Sequence, residues 1–341
     1  MKANIVKVLL LIAVVGGASC SGTAHSAEEG VRDPAPVGTE LFRFAFGSCN
    51  RYELGQSHWK TIAAHRPDIW IWMGDIVYAD TNDMTVLRQQ FDRQKTSPEY
   101  RSFATATRVI GVWDDHDFGE NNADGNVPHK EVRQEILLEF LDEPRDSERR
   151  SREGVFAAYD FNARGTLIRV ILLDLRYFRN VPQQSGNLLG AAQWAWLNSV
   201  LGESPADLNL LVSSTQVLRE NTRKETWAEW PAERARLFDL IATSRARNVI
   251  LLSGDLHAAE LGRIKLPGLD APLYEITSSG LTHNRGWSLR FLPNPYREAL
   301  YLGKNFGQLD VVRTEDGLVA YARIFGVDDR VQIAKAIKLR P

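Results

Sequence analysis

The sequence has little cysteine: Cys20 and Cys49 are the only two among 341 residues. That excludes a scaffold held by several disulfides. If Cys20 is removed with a leader or lipidated, Cys49 has no partner in the chain. A lone thiol in an oxidising compartment then calls for burial or a metal. Neither sign of charge is in excess: the formal net charge is −2, and −4 once Lys2 and Lys7 are lost with the first two dozen residues. A dedicated nucleic-acid binder carries a basic surplus, so no such partner is expected. No long amphipathic or heptad stretch calls for a protein partner. No second long apolar run follows the N-terminus, and no internal period marks a repeat array.

What is present begins with an address. Lys2 and Lys7 flank the start of an apolar run over 8–15, followed by Gly16-Gly17-Ala18-Ser19-Cys20. This order reads as a signal peptide over 1–24. Cleavage before Cys20 gives a lipid-anchored form, and cleavage near Ala24 or Ala27 a free one. The chain is expected in the periplasm or outside the cell. Residues 25–39, rich in small residues and proline, read as a linker, and 40–341 as one catalytic domain.

Strands are predicted over 41–46, 68–73, 108–113, 155–161, 167–173, 208–213, 248–252, 273–277, 309–313, 318–324 and 331–339. Helices are predicted over 57–64, 85–95, 130–141, 191–201 and 231–244, with a short one opening at Ser97-Pro98. The alternation predicts an α/β fold, with strands buried on both faces. Residues 143–153 read as an exposed charged loop. His25, His58, His65 and His129 read as surface residues, and most tryptophans as core.

One pattern recurs. An apolar strand ends and polar residues follow at once: Cys49-Asn50, Gly74-Asp75, Asp114-Asp115-His116-Asp117 and Gly254-Asp255-Leu256-His257. Ligands of open α/β sheets bind outside such strand ends. Carboxylate, imidazole, thiolate and phenolate groups together suit a transition metal. Singly, each is a common turn or core residue. The run from Asp114 to Asp117 is harder to explain as a turn, because adjacent carboxylates repel unless a cation compensates. Asp255 and His257 are expected on one side of an extended segment.

These segments, with Tyr78 after Gly74-Asp75, resemble the PhoD-like phosphatases of the metallophosphoesterase superfamily, from about Phe44 to His283. The resemblance implies a four-layer αββα sandwich and hydrolysis of small phosphate esters at two metals, with a bridging water activated as hydroxide. It implies Asp75 as the bridging ligand and Cys49 and Tyr78 as ligands to ferric iron. Asp115, Asp255 and His257 complete the metal set. The oxygen ligand at Asp255 suits a harder second metal, for which the family suggests calcium, with other divalent ions as alternatives. His116 is the expected catalytic group. Asn122, Arg176 and His283 are expected at the substrate, Arg176 on a phosphate oxygen. The chain shows no counterpart of the N-terminal β-domain of longer members, so a more open cleft is expected. Rival readings are a phosphodiesterase or phospholipase D-type enzyme of the same family, a non-catalytic metal- or phosphate-binding surface protein, and a thiol enzyme using Cys49.

Overall fold

The computed structural model describes residues 37–180 and 186–341. The expected signal peptide, its lipid-anchor site and most of the linker lie outside them. Among the described residues the strands are β1 (Thr39–Gly47), β2 (Ile69–Met73), β3 (Arg108–Val112), β4 (Ala157–Ala163), β5 (Thr166–Leu172), β6 (Leu208–Ser213), β7 (Val249–Ser253), β8 (Ala259–Ile264), β9 (Leu273–Ser278), β10 (Arg297–Tyr301), β11 (Asn305–Thr314), β12 (Gly317–Gly326) and β13 (Val331–Lys338). The helices are α1 (His58–Ala64), α2 (Met84–Thr96), α3 (Pro98–Ala106), α4 (Asp115–Phe118), α5 (Lys130–Phe140), α6 (Gly190–Gly202) and α7 (Pro231–Thr243). The α/β expectation holds. The short strands β8 and β10 lack the apolar runs that identified the others.

The strands form two sheets, in the orders β13-β12-β11-β1-β2-β3 and β10-β8-β9-β7-β6-β5-β4. The parallel strands are β1-β2-β3, at one end of the first sheet, and β5-β6-β7-β9, in the centre of the second. The inner faces meet, with Phe42 and Phe44 of β1 against Phe161 of β4 at ring separations of 5.2 and 5.9 Å. On the outer face of the first sheet, Trp70 and Trp72 of β2 pack edge-on against Trp59 of α1, which stacks on Phe103 of α3. Phe140 of α5 packs on Phe91 of α2 and Tyr100 of α3.

In the second sheet, Ile168, Val170 and Leu172 of β5 join the inner core, while Ile171 turns to an outer core with Trp194, Leu197 and Leu237 of α6 and α7. Burial on both faces explains why these strands read as continuous apolar runs rather than alternating ones. Helix, sheet, sheet and helix therefore stack as four layers.

Two expectations are corrected. Residues 143–153 are not a free surface loop. Arg149 is 2% exposed and donates to the carbonyls of Gly111 and Val155, to Glu143 and to Tyr159. This tethers the loop to β3. Arg149→Met leaves Glu143 buried without its cation, at an expected cost of about 3–5 kcal/mol. The denaturant midpoint measures it, and the paired Arg149→Met/Glu143→Leu change should restore part of the loss. His65 is also not a surface residue: its ring bridges Gln308 and Asp329 and packs on Phe306 and Phe325. His58 is half-buried beside Trp59.

Candidate active site

All four polar strand ends meet at one edge of the sandwich. β1 delivers Cys49, β2 Asp75, β3 the Asp114–Asp117 run, and β7 Asp255 and His257. Three further strand ends contribute supporting groups: Asp174 and Arg176 after β5, Ser214 after β6, and Ser279 after β9. The chain must turn sharply to aim these side chains inward. Cys49, Asp75, Asp255 and His257 all have left-handed backbone, with φ of 60, 52, 58 and 59°. Such conformations are unfavourable for residues with a Cβ and concentrate at functional sites. Two glycines let the strand ends approach. A Cβ on Gly74 would lie 2.3 Å from that of Asp114, and one on Gly254 would lie 2.6 Å from the Met73 carbonyl oxygen.

Asp75 is the hub. It is fully buried, and its Oδ2 accepts from the Tyr78 hydroxyl at 2.9 Å and the Cys49 thiol at 3.3 Å. Three sets of potential ligands share it: Cys49, Asp75 and His257; Asp75, Asp115 and His116; and Asp75, Asp114, Asp115 and Asp255. Within each set the ligand atoms lie within 4.8 Å of one another. Ser279 joins two members of the first set, since its hydroxyl accepts from the His257 amide at 2.8 Å and lies 3.1 Å from the Cys49 sulfur.

Burial and mutual repulsion set the electrostatics. Burial, and then the charges of Asp115, Asp114, Asp117 and Asp255, hold the Asp75 carboxyl well above the usual range. Burial and Asp115 likewise raise Asp255, against the opposing charges of Arg176, Arg285 and Arg219. Asp114 is pushed up to about 7, chiefly by burial, with Arg176 opposing. For Asp115 burial is again the largest influence, but Arg176, His116 and the Asn122 amide outweigh it and the carboxyl is lowered. Burial, followed by His283 and Arg285, drops His257 to about 2, so its ring is neutral and has one nitrogen lone pair to offer.

His116 behaves differently. Burial is the largest influence on it and opposes protonation. Its Nδ1 lies 2.5 Å from Asp80 Oδ1, and that bond together with the charges of Asp115, Asp80 and Asp114 gives a net upward shift. The ring lies over Tyr78 at a centroid distance of 4.2 Å.

The structure corrects several expectations. Asp255 and His257 do not alternate along an extended segment. The left-handed turns at both residues, closed by a 2.7 Å bond from the Leu256 amide to the Gly254 carbonyl, send them into different ligand sets. Arg176 does not stand in the open cleft. It is 0% exposed, clamped by Asp114 at 2.7 Å and Glu225 at 2.8 Å, behind the carboxylates. The Asp114–Asp117 run separates into distinct roles. Asp114 is neutralised by Arg176 and bonded by Ser214. Asp117 accepts from the amides of Ile76, Val77 and Asp114, fixing the turn that follows Asp75. Asp115 and His116 face the site.

Of the other expected substrate contacts, Asn122 is exposed, and its amide donates to Asp115 at 2.7 Å. His283 packs 4.6 Å from the His257 ring and 5.1 Å from that of Tyr78. Burial, then Arg51 and His116, lower it to about 4. Sequence reasoning missed Asp80, Glu225 and Arg51, the last with its guanidinium 4.4 Å above the Tyr78 ring. None sits in a motif that reveals its partner.

The residues fit bound cations. Asp75 Oδ1, Asp114 Oδ2 and both ring nitrogens of His257 are buried without a protein hydrogen-bond partner. Such groups are costly unless something satisfies them. A cation would satisfy the carboxylate oxygens and one His257 nitrogen and offset the carboxylate repulsion. The same surroundings disfavour Cys49 as a nucleophile: burial and the charges of Asp75 and Asp255 push its thiol well up, whereas reactive cysteines need a lowered pKa.

Three comparisons with known proteins bear on this site. Alkaline phosphatase D of Bacillus subtilis (strain 168) is 26% identical over 278 residues, covering 66% of this chain and 48% of that protein. The chain thus spans about half the length of this curated relative. The solved "Structure of PhoD" has the same fold, with a TM-score of 0.68 and 19% identity, covering 91% of this chain and 74% of that one. Residues 44–288, which contain every strand end described above, match the family model of PhoD-like phosphatase, and the chain belongs to that family.

Proposed function

We propose that the chain is an exported, metal-dependent phosphoric-ester hydrolase, an alkaline phosphatase acting on phosphomonoesters, with diesters as the second class to test. Residues 40–341 form its catalytic domain. The observation that carries this reading is one buried carboxylate, Asp75, shared between ligand sets of different chemistry. Cys49, His257 and Tyr78 offer sulfur, nitrogen and phenol donors suited to ferric iron. Asp115 and Asp255 offer oxygens suited to calcium, with Asp114 beside them. When bound, such ions supply Lewis acidity and make hydroxide available from water near neutral pH.

The chain's own residues do the rest. In hydrolysis a water oxygen bonds to phosphorus and the bond from phosphorus to the alcohol oxygen breaks. His116, with Nδ1 held by Asp80, keeps its other ring nitrogen to hand a proton to the departing alkoxide. Asn122, on the loop after α4, and His283, on the loop after β9, are the proposed substrate contacts. Arg176 acts from behind as a positioning residue, holding Asp114 beside Asp115. Export rests on the charged, apolar and small-residue order of the N-terminus. No described helix is long and apolar enough to cross a membrane.

The test is metal analysis of protein purified without chelator, with turnover of a phosphomonoester and a phosphodiester before and after chelation. Bound iron, turnover restored by calcium, and a visible absorption lost in Tyr78→Phe are expected. The ratio of the two rates assigns the ester class. No bound metal and no turnover on either ester after metal addition would overturn the reading and leave a binding protein.

A further inference from the structure

Beside the Asp75 hub lies a polar cleft of about 420 Å³. Asp255 and Asn122 form its border with the site, and Arg223, Lys224 and Arg285 line it. It is therefore continuous with the reaction centre, since the Asn122 amide holds Asp115 and the Arg285 amide donates to the His257 carbonyl. The acids along it already have roles. Glu225 is engaged by Arg176 and Arg179, Glu229 accepts from the Thr226 amide, and Asp124 accepts from the Asn126 amide. Asp255 belongs to the carboxylate ligand set. Arg223, Lys224 and Arg285 have no ion-pair partner among the described residues.

The loop that presents two of these cations is built rather than loose. Arg219 is 1% exposed and donates to the carbonyls of both Lys224 and Glu225. Thr226 Oγ1 closes the loop base on the carbonyls of Gln216 and Arg219. Burial, and then the Arg285 charge, hold Lys224 below the usual ammonium range, so two like charges share one space. Holding unpaired cations together is unfavourable unless an anion joins them.

We propose that this cleft is a subsite for a second phosphoryl group on the substrate. The enzyme then selects esters whose alcohol carries a further phosphate over esters of neutral or apolar alcohols. The proposal rests on the hydrolase reading and adds the substrate class. Arg285 and Lys224 grip the distal phosphate and Arg223 attracts it from the rim. The guanidinium forks give geometry and the ammonium adds charge.

The experiment compares propane-1,3-diol bisphosphate with propyl phosphate, in the metal-loaded wild type and in Arg223→Gln/Lys224→Gln. These two side chains lie on a surface loop, and circular dichroism checks the fold. The wild type should favour the bisphosphate in kcat/KM by about tenfold or more, the order expected of one or two charge-assisted hydrogen bonds. The variant should lose most of that preference, mainly through KM. A wild-type preference near one, or one the variant retains, overturns the subsite. If neither ester is turned over, the hydrolase reading fails instead. Calorimetric affinities for the two compounds then decide the subsite: equal affinities overturn it, and a bisphosphate preference lost in the variant supports it.

Discussion

Asp75→Asn should abolish metal retention and reduce turnover by about a thousandfold, the scale of removing a preorganised electrostatic element from an active site. The substitution keeps shape and removes one of several crowded, buried negative charges. Its effect on stability should change sign with the metal. Without metal the variant should melt above the wild type, because Asp75 ionises only against burial and the charges of Asp115, Asp114, Asp117 and Asp255. A carboxyl whose folded pKa is raised contributes stability below its unfolded pKa and loses it as pH rises through the folded one. The variant's advantage should therefore widen with pH. With metal present the order should reverse, since binding at a hundredfold excess over Kd stabilises the wild type by about 2.7 kcal/mol. Thermal melts with and without chelator, at two pH values, test this. A variant that keeps its metal and its turnover would remove Asp75 from the centre of the site.

His116→Ala should keep its metal and lose about 10²- to 10⁴-fold in kcat, the usual contribution of a positioned general acid. The loss should depend on the leaving group. It should be large for an alkyl phosphate, whose alkoxide needs a proton, and small for an aryl phosphate, whose phenolate does not. Equal losses on both esters would mean that His116 stabilises charge on the phosphoryl oxygens and does not transfer a proton. Asp80→Asn should cost less and act through pH. Asp80 helps raise the His116 pKa, and a general acid works only while protonated. Removing that carboxylate should move the high-pH limb of the profile to lower pH. An unmoved limb would separate Asp80 from the chemistry.

The four layers came from the family resemblance, but the strands themselves were legible because β2 and β7 carry apolar runs and β5 and β6 are interrupted internally only at Arg169 and Asn209. The predicted strand over 208–213 coincides with β6 for that reason. β8 and β10, with the sequences AELGRI and REALY, escaped because short strands toward a sheet edge mix charged and apolar residues. The PhoD-like phosphatase motifs were also legible, since strand-end residues such as Cys49, Asp75, Asp115 and His257 are local in sequence.

Sequence by itself determined which strand ends carry polar chemistry and which family they indicate. It did not determine how the ends face one another. Asp255 and His257 diverge because both adopt left-handed backbone, which the tight approach of Gly254 to Met73 and Ser214 imposes from other strands. Arg176 lies behind the site because Asp114 and Glu225, remote in sequence, compete for its guanidinium and bury it. Asp80 acquires meaning only when His116 folds onto it from β3. Whether a charged side chain binds substrate or braces a ligand depends on contacts made across the chain, and those contacts exist only in the folded molecule.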